Sequence, residues 1–273
     1  MSAHLDTLPA AVRRERGFTL VELMVTVAIA LFLLGGLGMI VQRTRDQNLN
    51  QQALAVLQDE QRFATTVLTD IVQAGGHYPC PSATPPACAG NSYTQSSALP
   101  AVGVIMQPGQ AFYGVHTNNT TPDTLTVRFM TTAGDGLIRC DGSSNTAVAN
   151  EPDTNVFSVV LPAGNVPGRL QCSFNGGAPV TLVNGVQNLQ VYYGVNRNTP
   201  TLNYNVDTYL TADQMNAANG DWMNISAVRV VLTFTNPLCP NGPGPTCQAG
   251  QQLNPTIAFE RVVPVMGRAG FHS

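Results

Sequence analysis

Apolar positions divide the first quarter of the chain into two stretches of different pattern. Residues 18–41 are almost unbroken in hydrophobicity, with a single charge, Glu22. At about 1.5 Å per residue, a helix over this run reaches roughly 36 Å, enough to cross a bilayer core. Beyond residue 42, Leu49, Ala53, Val56, Leu57, Ala64, Val67, Leu68, Ile71 and Val72 recur at spacings of three and four. Gln51, Gln52, Asp59, Gln61 and Asp70 fall mainly between them. This second stretch reads as an amphipathic helix whose apolar stripe needs cover. Gly75-Gly76 gives a stop. Nothing breaks the join, so the pattern predicts one helix from Phe18 to about Ala74, its stripe covered by the domain that follows.

After residue 76 the helical period disappears. Residues 77–99 are rich in Pro, Ser, Ala and Cys and read as a loop. Short apolar runs bounded by Gly, Asn, Asp and Pro then predict strands at 102–106, 124–130, 136–140, 155–160, 169–174, 179–183, 186–195, 225–235 and 256–265. In the run 225–235, Ser226, Val228, Val230, Leu232 and Phe234 alternate with a second face carrying Arg229, as in a sheet with one buried face. Arg229 is left with either a carboxylate or a strand carbonyl as partner. A helix followed by a series of strands indicates an α+β fold: a long N-terminal helical spine packed on a mainly antiparallel sheet. The expected organisation is residues 1–17, then 18–41 as a membrane span, 42–76 as the amphipathic half of the helix, and 77–273 as a β-rich globular domain.

Charge gives the span an orientation. Arg13, Arg14 and Arg16 precede it, which keeps the first 17 residues cytoplasmic and sends the rest across the membrane. Arg43 and Arg45 on the far side weaken this asymmetry. A secretory signal peptide competes with this reading, but it would end in a small-residue cleavage site after the apolar run. Here the run passes directly into the amphipathic pattern. Six cysteines fall into three neighbourhoods, Cys80 with Cys88, Cys140 with Cys172 and Cys239 with Cys247. An even count in this setting suggests disulfides in an oxidising compartment, with sequential pairing expected among the connectivities possible. Short metal-ligand spacings are absent, and His4, His77, His116 and His272 are scattered, so neither a metal nor a cofactor is expected. A net charge of −3 gives no reason to expect nucleic acid as a partner. Asp141-x-Ser143-x-Asn145 has some of a calcium loop's ligands but lacks its glycine and its closing glutamate; a turn closed by side-chain hydrogen bonds is the expectation. Trp222 is expected as a core or interface anchor.

The head of the span carries more. Arg16-Gly17-Phe18-Thr19-Leu20-Val21-Glu22, continuing into Leu23-Met24-Val25, resembles without interruption the prepilin signature of type IV pilins and type II secretion pseudopilins. The resemblance implies cleavage between Gly17 and Phe18 by a prepilin peptidase and N-methylation of the new terminal Phe18. Thr19-x-x-Glu22 is also a capping-box pattern, and an acid near a helix start is favoured by the dipole. Those effects do not explain a carboxylate placed inside an apolar span, where a charge is costly and calls for a partner. By resemblance that partner is the amine of a neighbouring subunit's first residue. Gly35, Gly36 and Gly38 interrupt the span, as close-packing positions or as a stretch able to melt.

A second resemblance runs through the distal half. Its landmarks are Asp123-Thr124-Leu125-Thr126-Val127-Arg128-Phe129, Cys140-Asp141-Gly142, Leu170-Gln171-Cys172, Val191-Tyr192-Tyr193-Gly194-Val195 and Ala227-Val228-Arg229-Val230-Val231-Leu232 behind Trp222. Their order is similar to the PilW family of minor pilins. The resemblance implies a pilin-like fold and a non-catalytic subunit that primes type IV pilus assembly and sits at the pilus tip. It implies other minor pilins, the major pilin and an inner-membrane assembly platform as partners. The chain would pass from the bacterial inner membrane, leader cytoplasmic and distal domain periplasmic, to the pilus surface. A minor pseudopilin of type II secretion would have the same amino terminus. A tip adhesin or DNA-capture subunit would need its arginines clustered. No nucleotide-binding loop or catalytic constellation emerges, so an enzyme is not expected.

Overall fold

In a computed structural model, the described residues are 17, 19–79, 95–146, 150–163, 166–197, 205–217, 222–239 and 255–266. The first helix, α1, runs from Leu20 to Ala74. It starts where the pattern requires: the Thr19 hydroxyl accepts the Glu22 N–H at 3.3 Å, satisfying one of the unpaired donors of the first turn. It ends in Gly75-Gly76, with Gly76 at φ +78. Gly75 is required by close approach, because a Cβ there would run into the Phe112 ring.

Contacts divide the chain into residues 1–51 and residues 52–273. Within the first unit the helix carries its apolar side chains exposed, and its sequence is apolar enough to cross a membrane. It passes through Gly35, Gly36 and Gly38 without interruption, and a Cβ at any of the three would meet nothing.

The second unit begins inside α1. Leu57, Ala64, Leu68, Ile71 and Val72 are buried in its core, at the spacing that puts them on one face of a helix. Other members of the predicted stripe are not covered. Leu49 and Val56 are exposed, and Ala53 and Val67 are half-buried. Phe63, outside the stripe, is 50 % exposed.

Behind the helix lie two antiparallel sheets where the pattern suggested one. The first is a five-stranded meander of β1 (Phe112–Val115), β2 (Thr124–Thr131), β3 (Glu151–Val160), β4 (Arg169–Phe174) and β5 (Val180–Asn184). The second has the order β7-β6-β8-β9, built from β6 (Val186–Val195), β7 (Thr208–Leu210), β8 (Ile225–Thr235) and β9 (Thr256–Pro264). The chain leaves one sheet for the other at Gly185, whose φ of +76 turns β6 away from the β5 edge. Short helices α2 (Gln95–Ala98) and α3 (Ala212–Ala217) flank the sheets. Phe129, Phe157, Leu170, Leu189, Val228 and Phe234 fill the interior, all buried.

Two expected strands are turns. Residues 102–106 close on themselves by a bridge between Val102 and Met106, and Ile138 bridges only to Ser144. Gly103 and Gly136 have φ of +55 and +82, so the backbone reverses where an extended strand was expected. Conversely, β1 and β7 were not anticipated. They are four and three residues long, too short for alternation to register.

Candidate functional site

The sequence directs attention first to the start of α1. Gly17 is exposed, and a Cβ on it would meet nothing within 4 Å. Among the described residues nothing demands a glycine there. Phe18 lies outside the described residues. Glu22 occupies the third helical position with its N–H capped by Thr19. Its carboxylate is exposed on an otherwise uncharged apolar stretch of the helix and has no ion pair among the described residues.

The other anticipated residues resolve individually. Cys140 and Cys172 are joined by a disulfide with Cα atoms 6.1 Å apart. Cys239 is also disulfide-bonded, while Cys80, Cys88 and Cys247 lie outside the described residues. The bond fastens the loop after β2 onto β4, and non-covalent contacts reinforce it. Buried Asn155 accepts the Cys140 N–H at 2.9 Å. Arg139 reaches Asp153 at 2.8 Å and Glu151 at 3.2 Å and stacks on the Phe174 ring at 4.2 Å. The beginning of Asp141-x-Ser143-x-Asn145 is a closed Asx turn. Asp141 Oδ1 accepts the Ser143 N–H at 2.9 Å and its hydroxyl at 2.6 Å. Asn145 turns away and donates to Thr131. Among the described residues no group of three or more His, Cys, Asp or Glu could hold a metal ion. His4 and His272 lie outside them.

Trp222 is half-buried between Tyr113 and Tyr193, with centroids at 5.5 and 4.9 Å. Its indole N–H donates to Asn216 at 3.1 Å. Arg229 stacks over Tyr192 at 4.2 Å and approaches Glu260 at 3.7 Å. Arg128, buried on β2, donates to the Pro100 carbonyl at 2.6 Å and the Gln110 carbonyl at 3.3 Å. Three of the distal arginines are therefore committed within the domain rather than gathered into a surface patch.

A feature that sequence reading missed joins the two sheets. Beyond β7, the edge of β6 is covered by the loop leading into β2. Asp123 N–H donates to Leu189 O at 2.7 Å, and Asp123 Oδ2 accepts the Val191 N–H at 2.8 Å. The Gln190 amide donates to Thr121 O at 2.9 Å. His116 Nδ1 lies 2.8 Å from Asp123 Oδ1, both side chains nearly buried. Burial holds the Asp123 carboxyl above the usual carboxylate range, against the opposing pull of Val191 and His116. Beside this clasp Tyr193 is fully buried against Gly114. A Cβ on Gly114 would run into both the Tyr193 hydroxyl and the Thr124 carbonyl. Gly114→Ala is therefore expected to lose about 1–3 kcal/mol through overpacking, read as a lowered urea midpoint.

Comparison with known proteins agrees with both ends of the chain. Residues 12–38 match the family model described as the prokaryotic N-terminal methylation motif. Residues 166–251, which include β4 to β8, match that of the type IV pilus-assembly protein W, or PilW. Among solved structures, the type IV-like pilin TTHA1219 from Thermus thermophilus is similar at 15% identity, over 78% of this chain and 97% of that one, with a TM-score of 0.37. Among curated proteins none matches. A methylation motif at the head of a long apolar helix, carried into antiparallel sheets, defines a type IV pilin-like protein. Its distal segment is similar to the PilW family over residues 166–251.

Proposed function

We propose that the chain is a minor pilin: a non-catalytic subunit that primes type IV pilus assembly and occupies the pilus tip. The observation that carries this reading is Glu22, a carboxylate without an ion-pair partner among the described residues on an exposed apolar stretch of helix. A charge in that position is stable in a bilayer or a helical bundle only when another group neutralises it. The amine of a neighbouring subunit's Phe18, freed by cleavage after Gly17 and methylated, meets that need. Gly17 fits a processing site because nothing among the described residues requires its small size. Disulfides at Cys140–Cys172 and at Cys239 suit a distal domain on the oxidising, periplasmic side, with Cys80–Cys88 and Cys239–Cys247 as the remaining pairings. On this reading residues 1–17 are a cytoplasmic leader, the helix crosses the inner membrane once, and the protein moves to the cell surface. A prepilin peptidase, the major pilin, other minor pilins and an inner-membrane platform are its partners.

The test is intact mass and amino-terminal sequence of the protein from cells with and without prepilin peptidase, alongside Glu22→Ala. The expected mature chain starts at N-methyl-Phe18 only where the peptidase is present. Glu22→Ala is expected to be processed normally yet fail to assemble. A mature chain beginning at Met1, or normal pili with Glu22→Ala, would overturn the proposal. Loss of type II secretion with pili intact would transfer the protein to the secretion machine.

A further inference from the structure

The second sheet ends on β9, and nothing among the described residues pairs with its outer side. The direction of its backbone groups follows from what happens at its two ends. Asn236 N–H donates to Pro255 O at 2.8 Å, and Val265 N–H donates to Ser226 O at 2.9 Å. In an antiparallel ladder such pairs alternate with pairs whose groups point away from each other. The register from Thr235↔Thr256 to Ala227↔Pro264 is unbroken. Ile257, Phe259, Arg261 and Val263 therefore direct their backbone groups to β8. Thr256, Ala258, Glu260 and Val262 turn theirs outward, each an N–H and a carbonyl, repeating at about 6.8 Å. Ala258, Glu260 and Val262 are exposed.

Free edges are ordinarily blunted by shortness, a bulge or a proline. β9 is nine residues long, and its proline stands at its very end. Its pairing with β8 has no register shift, whereas those of β4 with β5 and of β6 with β8 do. One flank of α1 stands over the inner side of this edge. Gln61, Thr65 and Thr69 line a groove of about 120 Å³ together with Phe259 and Arg261. Arg261 is exposed there and has no ion pair among the described residues.

We infer that β9 takes an extended segment of a different polypeptide as a fifth strand of this sheet, with a carboxylate of that segment lying against Arg261. The outward groups set the class of occupant. Only extended backbone offers donors and acceptors at the same two-residue repeat, and such strand addition draws its affinity from main-chain hydrogen bonds. A helix has none to offer, because its own turns use them. Alternate side chains of the added strand fall on the α1 side of the sheet, where Arg261 selects a negative partner. A second copy fits worse. Two β9 strands paired antiparallel over their full length are centred on residue 260, which sets Glu260 against its counterpart. Moving the centre by one residue sets Arg261 against its counterpart instead. Like charges directly opposite each other are destabilising. One added strand fills the edge, so the contact joins a single partner and does not propagate.

The test places a benzophenone amino acid at position 258 of the full-length chain in its native membrane, and crosslinked peptides are identified by mass spectrometry. The expected product joins position 258 to one short segment of a different protein, with Asp or Glu a few residues from the crosslink. Val262→Pro removes an outward N–H and no bond to β8, a place where an edge strand tolerates proline. It is expected to reduce the product at least about tenfold with the melting transition unchanged. Arg261→Glu is expected to reduce it as well, and exchanging the partner's carboxylate for Arg to restore it. Crosslinks only to lipid, to a second copy or within the chain itself would overturn the inference. So would no crosslink, a product that a folded Val262→Pro leaves unchanged, or a loss on Arg261→Glu that the exchange does not restore.

Discussion

Asp123→Ala is expected to destabilise the distal unit by about 1–3 kcal/mol or more, starting from the range for leaving a buried donor without its acceptor. The loss has named components. The Val191 N–H on β6 loses its acceptor at 2.8 Å, and a buried donor without a partner costs about 1–3 kcal/mol. His116 loses its carboxylate partner in the same nearly buried site. The backbone bond from Asp123 N–H to Leu189 O remains possible, so the fold is weakened rather than lost. Asp123→Asn retains an acceptor for Val191 and is expected to cost less. It also removes a pH dependence of definite sign. Burial raises the folded-state pKa of Asp123. The stability linked to that shift is fully present below the unfolded value and is lost as pH rises through the folded one. Wild type should therefore gain on Asp123→Asn as pH falls from 7 toward 4. Urea midpoints at several pH values check both expectations, and equal midpoints for wild type and Asp123→Ala would contradict the clasp.

Cys140→Ser combined with Cys172→Ser is expected to cost about 3–4 kcal/mol, the loop-closure entropy for a sequence separation of 32. The native contacts at this place survive the change. Asn155 still accepts the Cys140-position N–H, and Arg139 still pairs with Asp153. The effect therefore falls mainly on the unfolded chain, which regains the freedom that the bond removed. Equilibrium unfolding under non-reducing conditions measures it. The packing of the aromatic rings should remain visible as unchanged aromatic fine structure in the near-ultraviolet spectrum below the transition, apart from the loss of the disulfide's own contribution. A loss of native spectrum before unfolding would mean that the bond holds the folded loop itself.

The parts of this architecture that could be read from sequence are those with long-range period or local chemistry. The α1 helix joins an unbroken apolar run to a stretch of three- and four-residue spacing, and its cap, Thr19 with Glu22, and its stop, Gly75-Gly76, are each made by residues close together in sequence. Strands β2, β6 and β8 are long, largely apolar runs between turn residues. Glu22 stood out because its surroundings are uniformly apolar. The division into two sheets was hidden because it depends on Gly185 adopting a positive φ, which a glycine between two strands does not announce. The strands expected at 102–106 and 136–140 failed for the same reason, at Gly103 and Gly136. The Asp123 clasp was hidden for another: Asp123 and Val191 are 68 residues apart in sequence, and an Asp before a strand ordinarily means a turn. The exposure of Val56 and Phe63 was equally invisible, since periodicity places residues on a helix face but does not say how wide a face the sheets will cover.

The Cys140–Cys172 bond also governs how the domain would answer a pull along its backbone. An intact loop of separation 32 keeps roughly 110 Å of extended chain out of reach of the force. Tension arriving from either end bypasses β3 entirely and passes through the sulfur atoms to β4. The hydrogen bonds between β3 and residues 169–171 of β4, both inside the loop, are thereby shielded, and the load falls on the pairings of β2, β6 and β8 and on the Asp123 clasp. A subunit exposed to traction would then lengthen only through the chain outside the loop.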